Sequence, residues 1–225
     1  TWNATPNSID GGNNTQWNIN TYPFTWTGAT NNNWSVGTNW LGNSAPGNTN
    51  IAVFTGTYNV ACTVDAAIDV LGINVGRAYT GTITQSADMT IGTSGWEFNG
   101  LTSSFFIQTS GTLVRSTCGT LQVTAVNGDT FAIKGGTFTH NNGLIKVNGT
   151  LNPIVSCLVA NTFYDLEINT TGTASGTSFV SHNLTRTQGA TLDADISVSG
   201  DYLPLGGGTS SAGSGTIRFV GAGAQ

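Results

Sequence analysis

The sequence predicts an all-β fold, a right-handed parallel β-helix, and two observations support this. Gly-Thr pairs recur along the chain, and residues that alternate between apolar and polar follow them, as in Gly119-Thr-Leu-Gln-Val-Thr-Ala-Val. Such a segment is typical of a turn followed by a strand with one apolar face. Several intervals between pairs span about 25 residues, roughly the length of one solenoid coil with three short strands and three turns. The eight pairs that precede such segments begin at Gly56, Gly81, Gly111, Gly119, Gly136, Gly149, Gly176 and Gly215.

The predicted strands are short, and corners separate them. The one candidate for an amphipathic helix, residues 64–75, alternates in its second half with Leu71, Ile73 and Val75 on one side, which favours a strand. Asn-Gly steps predict tight corners at Asn99, Asn127, Asn142 and Asn148. The predicted strands are 51–55, 58–64, 82–84, 105–108, 120–126, 131–134, 144–148, 163–168, 191–198 and 216–220.

A β-sandwich is the alternative all-β fold. Sandwich strands tend to be longer and their loops more varied, whereas here the Gly-Thr unit recurs and the segments stay short. In a solenoid, each coil covers the apolar face of the next, so stability is a sum over stacked neighbours. We expect departures from the regular coil between Gly81 and Gly111 and between Gly176 and Gly215.

Residues 1–50 differ from the rest of the chain and predict a cap or a linker ahead of a β-helix at 51–225. They hold five of the six tryptophans and a dense set of Asn. A solenoid must cover the apolar core at its end, and large aromatic side chains suit that purpose. Trp26, Trp34 and Trp40 therefore form either such a cap or a platform on which sugar rings of a glycan stack.

Composition and charge exclude several functional classes. Charged residues make up 8% of the chain, and the net charge is -5. The six basic residues are scattered singly, so they cannot form the cationic stripe that binds nucleic acid or an anionic membrane. No apolar run approaches the ~20 residues of a membrane-spanning helix. We therefore predict neither nucleic-acid binding nor membrane insertion.

The three cysteines, Cys62, Cys118 and Cys157, are too widely spaced for a metal site of the CxxC type. They are either buried small apolar residues, or two of them bridge neighbouring coils, or one pairs between chains. None has an adjacent basic residue that would activate its thiol.

Residues that could carry catalysis are few and lack the expected patterns. The acid pairs Asp165/Glu167 and Asp193/Asp195 each share one face of a strand, which a two-acid site requires but any solvated face also shows. His140 and His182 are the only candidates for the base of a nucleophilic hydrolase. No serine of the sequence lies in the Gly-x-Ser-x-Gly elbow that would present a nucleophile to them. The calcium-binding nonapeptide of β-rolls is also absent. We predict no enzyme activity, no cofactor and no metal.

Residues 26–54 contain Trp26-Thr-Gly, Asn33-Trp34-Ser, Asn39-Trp40 and Ala45-Pro-Gly, followed by Ile51-Ala-Val-Phe. This pattern resembles an element of large bacterial surface proteins, in which it opens a β-helical repeat region like that of autotransporter passengers and filamentous adhesins. Downstream stretches such as Gly135-Gly-Thr-Phe-Thr-His and Phe163-Tyr-Asp-Leu-Glu-Ile-Asn resemble the same repeats. The resemblance implies a parallel β-helix from a secreted or cell-surface bacterial protein.

The two ends of the chain resemble unfinished repeats. Residues 8–17 are similar to the closing strand of one repeat region, and residues 214–225 are similar to the opening of a further coil. The resemblance therefore implies one unit of a repeating polypeptide, or a subunit whose ends meet those of its neighbours. The candidate intersubunit strand comprises Thr216, Ile217, Phe219 and Val220.

Together these observations predict a non-enzymatic structural or adhesive module of an extracellular surface protein. Its expected partners are adjacent repeats or copies of itself, and surface glycans come second. One alternative is a subunit of an extracellular filament that assembles head to tail by strand complementation. Another is a β-helix that binds or cleaves polysaccharide.

Overall fold

The computed structural model describes a chain of parallel strands. It covers residues 2–3, 17–18, 24–76, 78–92, 106–108, 111–115, 119–124, 128–133, 135–149, 153–157, 163–180, 182–187, 191–193, 195–205 and 214–221. One turn of 3-10 helix spans Gly37–Asn39. Strands β1 to β23 are, in chain order, Trp2–Asn3, Trp17–Asn18, Ile51–Phe54, Cys62–Val64, Ile68–Val70, Gly72–Val75, Thr82–Gln85, Met89–Ile91, Phe106–Gln108, Thr112–Val114, Leu121–Thr124, Gly128–Ile133, Thr137–Thr139, Leu144–Gly149, Pro153–Cys157, Asp165–Thr170, Thr173–Ala174, Thr177–Val180, Leu184–Thr187, Thr191–Leu192, Asp195–Val198, Tyr202–Leu205 and Ile217–Phe219.

The strands build a β-solenoid, which confirms the predicted fold. From β3 to β15, consecutive strands fall in turn on three sheets, and each sheet gains its next strand one coil later. The first sheet contains β3, β6, β9, β12 and β15, and the second contains β4, β7, β10 and β13. The third contains β5, β8, β11, β14, β16, β19 and β22. Two shorter ladders, β17–β20 and β18–β21–β23, accompany the third sheet in the later coils.

Parallel register aligns residues of the same kind into columns along the axis. In the second sheet Cys62, Ile83, Leu113 and Phe138 are in register and buried. The alternating neighbours point outward, because successive side chains of a strand project to opposite faces. The core is therefore a set of apolar columns inside the coils, and each coil buries its column against the coils on either side.

Coil length varies, so the regular period that the Gly-Thr pairs predict holds only in places. Thr112 pairs with Thr137, which makes the interval from Gly111 to Gly136 one full coil. The period fails for Gly56, which lies against Ala78, and for Gly149, which pairs with Thr170. Stacking requires only that strands stay in register, so the corners between strands can differ in length.

The two expected departures take opposite forms. Between Gly81 and Gly111 the coil is longer than the one that follows it, because Thr82 has no partner in the next coil until Thr112. Between Gly176 and Gly215 the coils are short, because Thr177 already pairs with Asp195.

Three local predictions are wrong. Strand 191–198 is broken at Asp193 into β20 and β21, which lie in different ladders, although the alternation of apolar residues continues across the corner. Strand 58–64 begins only at Cys62. Asn148 lies inside β14, opposite Asn169, and is not a corner. By contrast, residues 64–75 form strands rather than a helix, as predicted.

Positive φ values occur at some of the corners. The corner predicted at Asn142 is present, with φ of 46° at Asn141 and 58° at Asn142. The corners predicted at Asn99 and Asn127 lie outside the described residues, as do the end-of-repeat segments 8–16 and 222–225.

Arg115 is a buried cation inside the solenoid and joins three coils. Its side chain is 1% exposed. Nη1 donates to Gln85 Oε1 at 2.6 Å, and Nη2 donates to the carbonyl oxygens of Gly119 at 3.1 Å and Leu144 at 2.6 Å. Burial lowers the pKa of Arg115 to about 10, and the Asp88 carboxylate opposes this change. The guanidinium therefore stays charged at neutral pH and donates to acceptors in three successive coils.

Replacing Arg115 by Met should destabilise the fold, since it removes the donor to one buried amide oxygen and to two partly buried carbonyl oxygens. Each unsatisfied group costs about 1–3 kcal/mol, so we expect a large loss of stability in urea denaturation followed by circular dichroism. Arg218→Met is the matched control, because Arg218 is exposed, and it should change stability by less than about 0.5 kcal/mol. Equal effects of the two substitutions would contradict the interior role of Arg115.

Candidate interaction surfaces at the two ends of the solenoid

Three indole rings close the N-terminal end of the core. Trp26, Trp34 and Trp40 are 0–1% exposed and pack against Phe54, with ring centroids 6.0–6.1 Å from that phenyl ring. Trp40 contacts Trp26 at 5.1 Å and Trp34 at 4.6 Å, both edge to face. A sugar ring stacks only on an exposed aromatic face. None of these three indoles has an exposed face, so in this structure they pack as the N-terminal part of the core and do not form a platform for glycans.

The segment that carries the indoles is stacked on the first coil. Thr25 forms a parallel bridge with Val53 of β3, and Asn33 forms one with Thr63 of β4. Trp26 Nε1 donates to the carbonyl oxygen of Val60 at 3.1 Å. Residues 24–41, which we call the cap segment, therefore occupy the position of a coil that precedes β3.

Asn39 holds the cap segment in shape. Its side chain is fully buried. Its Oδ1 accepts from the backbone N–H groups of Thr30 and Asn31, and its Nδ2 donates to Asn31 Oδ1 and to the carbonyl oxygen of Asn33. Four hydrogen bonds from one buried amide replace the regular backbone pairing that this loop lacks. Sequence reasoning noted the Asn-Trp pattern but did not assign Asn39 a role.

Ser35 joins the cap segment to the next coil through Asp65. The Ser35 hydroxyl donates to Asp65 Oδ2 at 2.6 Å, and its backbone N–H donates to Oδ1 at 3.0 Å. Burial raises the pKa of the Asp65 carboxyl, but these hydrogen bonds outweigh burial, and the net pKa lies below its ordinary value of 3.8. The pair therefore depends on an ionised carboxylate.

The C-terminal end of the described solenoid differs because one core column is exposed there. Val180, Val198 and Phe219 are in register. Val180 and Val198 are fully buried, whereas Phe219 is 52% exposed. The change follows from position, because no described strand stacks beyond Phe219. This residue has the orientation of a core residue without the next coil to cover it.

Two further apolar residues of this coil are exposed. Val220, next to Phe219, is 51% exposed. Leu203 is 39% exposed and is in register with Thr185 and Glu167 on the outward face of the third sheet. A cleft of about 520 Å³ is lined by Asp201, Tyr202, Leu203 and Phe219. We call Phe219 and Val220 the open coil end.

The candidate intersubunit strand lies in this last coil. The Ile196 N–H donates to the carbonyl oxygen of Thr216, and the Val220 N–H donates to that of Val198. Ile217 and Phe219 belong to β23, which pairs with β21. The sequence pattern placed Thr216, Ile217, Phe219 and Val220 on one strand, and Ile217–Phe219 form β23. It missed the neighbouring edge strand β22, for which the apolar run Tyr202-Leu-Pro-Leu was the available signal.

The acid pairs considered for catalysis hold neighbouring coils together. Asp193 Oδ1 accepts from the N–H of Ser214 at 2.6 Å, and Asp195 Oδ1 accepts from that of Thr216 at 3.0 Å. Each acceptor is thus paired with a backbone donor of the following coil. These two carboxylates have a structural use that the sequence did not suggest.

In the other acid pair, Asp165 and Glu167 contact different residues. Glu167 Oε2 lies 3.3 Å from Lys146 Nζ. Asp165 Oδ1 accepts from His182 Nδ1 at 2.7 Å and from the N–H of Asn183 at 2.9 Å. The pair therefore does not present two free carboxylates to a common substrate.

Cysteine and metal chemistry receive little support from the described part of the chain. Cys62 is a free thiol, 1% exposed, and burial raises its pKa far above the ordinary value. The side chains of Cys118 and Cys157 are outside the described set. Within the described ranges, no three His, Cys, Asp or Glu residues are grouped as a metal site would require.

No family model, curated protein or solved structure matches this chain. In the part of the chain that the structure covers, no helix has the length and apolar character needed to cross a membrane.

Gly28 provides a test of the cap segment. Its φ is +60°, and a Cβ there would approach Val60 Cγ1 to 2.5 Å. We expect Gly28→Ala to destabilise the protein by more than about 1 kcal/mol, since backbone strain and overlap add. Gly47→Ala is the control, because a Cβ at Gly47 meets only Asn50 Oδ1 at 3.8 Å. Thermal melts of the two variants measure the difference, and similar melting temperatures would contradict the cap geometry.

The Asp65 contact predicts a pH dependence. A carboxyl whose pKa is lowered in the folded state stabilises the fold above its unfolded pKa, and this stability is lost as pH falls through the folded pKa. Asp65→Asn should therefore lower the urea midpoint at neutral pH and make little difference in strong acid, below the folded pKa. A deficit of the variant that is equally large under both conditions would contradict this account.

Proposed function

We propose that the chain is a non-enzymatic structural and adhesive module of an extracellular surface protein, extended by the stacking of a further coil on its open coil end. The observation that carries the proposal is the exposure of Phe219 in a column whose earlier members, Val180 and Val198, are buried. An adjoining repeat or another copy of the chain would supply the covering coil.

The backbone supports the same interpretation. In a stacked solenoid each strand bonds to a strand on both sides, and an edge strand leaves a row of backbone donors and acceptors for another strand. Among the described strands, β22 pairs only with β19, and β23 pairs only with β21. A further coil would satisfy both edges and bury the open coil end at once.

The extracellular role rests on composition and resemblance. The low charged fraction, with Thr, Asn, Ser and Gly in its place, suits a rigid and exposed solenoid. The Trp26, Trp34 and Trp40 pattern of the cap segment resembles the element that opens β-helical regions of bacterial surface proteins. The use of Asp193 and Asp195 as backbone acceptors favours a structural over a catalytic role.

A filament subunit is the second candidate. The free edge of β23 favours it, because a strand from another copy could add there by β-augmentation. The cap segment covers the apolar core at the other end, so a filament would join unlike surfaces, an apolar coil end and a polar cap. Electron microscopy separates the candidates: long fibres indicate the filament, and discrete short oligomers indicate stacking of coil ends.

Substituting the open coil end should weaken self-association. We expect the purified chain to associate in a concentration-dependent manner in light scattering after size exclusion, and Phe219→Asp to shift it to monomer, because a charge there opposes burial. Leu41→Asp is the control, because Leu41 is a comparable exposed apolar residue, 43% exposed, in the cap segment. Val220→Lys provides a second variant in case Phe219→Asp changes the circular dichroism spectrum.

A wild-type chain that remains monomeric at all concentrations would overturn the stacking proposal. So would association that Leu41→Asp disrupts as strongly as Phe219→Asp.

A further inference from the structure

The second sheet presents almost one kind of residue on its outward face. Its strands β4, β7, β10 and β13 have seven outward positions, and six of these are threonine. The seven side chains are partly or fully exposed, whereas the alternating residues of the same strands are buried. The outward positions are Thr63, Thr82, Thr84, Thr112, Val114, Thr137 and Thr139.

Register arranges these side chains in two columns along the solenoid axis. One column consists of Thr82, Thr112 and Thr137. The other consists of Thr63, Thr84, Val114 and Thr139. No register shift interrupts these pairs, whereas the first sheet has one between Asp129 and Phe131. The seven residues therefore form a regular two-dimensional array, which we call the threonine face.

The backbone fixes the spacing of the threonine face in both directions. Neighbouring strands lie about 4.8 Å apart, and residues two apart on one strand lie about 6.7 Å apart. Each threonine contributes a methyl group and a hydroxyl, and the hydroxyl both donates and accepts hydrogen bonds. Because threonine is branched at Cβ, its χ1 angle is restricted. The face thus repeats hydroxyl and methyl groups at nearly constant intervals.

The preference of threonine for strands does not account for this array. That preference applies to every sheet, yet the third sheet, which stacks the same coils, has a mixed outward column. Its members are Asp69, Thr90, Gln122, Lys146, Glu167, Thr185 and Leu203. Threonine is therefore concentrated on one side of the solenoid, and the seven positions of that side carry no charge.

We propose that the threonine face binds ice. A ligand that matches a two-dimensional array must itself repeat in two directions, and the water molecules on a face of ice do so at distances close to these. Each water molecule donates and accepts hydrogen bonds, as each threonine hydroxyl does. The methyl groups restrict the orientation of the water beside them. A neutral ligand also suits an uncharged face in a chain with a net charge of -5.

A polysaccharide is a poorer match to the threonine face. Sugar rings pack on flat aromatic side chains, and none of the seven outward positions is aromatic. A single polysaccharide chain repeats in one direction only, so it would contact one column and leave the other unused. The two-column arrangement therefore favours ice.

Ice binding goes beyond the proposed function and uses a different part of the solenoid. The open coil end belongs to the coil of β23, and β23 lies in a ladder separate from the second sheet. Ice would be a target for the adhesive module, but its binding does not require a further coil. Phe219→Asp should therefore retain ice binding, so the two proposals can fail separately.

Ice growth in solutions of the purified chain tests the proposal. We expect the chain to be incorporated into slowly grown ice and to hold the growth temperature of a seeded crystal below its melting temperature. Serum albumin at the same molar concentration should do neither. Thr112→Tyr should abolish both effects, because it places a bulky ring in the middle of the face. Thr90→Tyr is the matched control, since Thr90 is an outward strand residue of the third sheet, and it should behave like the wild type.

Two further variants keep the test decisive. Thr139→Tyr replaces an exposed residue and should also abolish both effects, in case Thr112→Tyr changes the circular dichroism spectrum. Val114→Thr completes the second column and should increase the gap between growth and melting temperatures. The proposal is overturned if ice excludes the wild-type chain as it excludes albumin, or if folded Thr112→Tyr and Thr139→Tyr remain active. Equal loss of activity in Thr90→Tyr, or lower activity in Val114→Thr, would also overturn it.

Discussion

The parallel pairing of each coil with the next is the interaction on which the rest of the structure depends. A single coil of short strands cannot bury its inward side chains or pair its backbone, so both needs are met only by neighbours. Columns such as Ile83, Leu113 and Phe138 follow from this requirement. It also creates a difficulty at each end, where one neighbour is missing.

The two ends meet that difficulty differently. At the N-terminal end, Trp26, Trp34 and Trp40 fill the core cross-section, and Asn39 satisfies the backbone of the loop that carries them. At the other end, Phe219 retains the orientation of a core residue and is half exposed. The described solenoid is therefore asymmetric, with buried indoles at one end and an exposed phenyl ring of a core column at the other.

The same requirement explains the unusual composition. Side-chain carboxylates and amides at the corners accept the backbone N–H of a neighbouring coil, as Asp193, Asp195 and Asn183 do. A short polar residue serves this purpose better than a long charged one, because it loses little conformational entropy. The chain therefore has few charged residues and many Asn, Thr and Ser. The acids that remain are mostly engaged in the fold.

The strand segments and the coil architecture could be predicted because alternation and Gly-Thr turns are local signals. The break at Asp193 could not be predicted, because the alternation of apolar and polar residues continues across it and therefore indicates one continuous strand. The number of residues in each coil could not be predicted either, because the register depends on pairs far apart in the chain, such as Thr82 with Thr112. The Trp pattern located the cap segment, but only the packing against Phe54 shows that the indoles are buried. His140, Tyr164 and His182, whose rings stack on one another, are far apart in the sequence, and only the register of the coils brings them together.

Residue-resolved hydrogen exchange at increasing protein concentration tests the central claim most directly, that the core is closed at the cap segment and open at the last coil. The account predicts that amides of Tyr202–Leu205 and Ile217–Phe219 exchange rapidly in dilute solution and gain protection as the chain associates. Amides of residues 24–41 should be protected throughout. Protection gained at the cap segment instead, or full protection of the last coil in a dilute monomer, would contradict it.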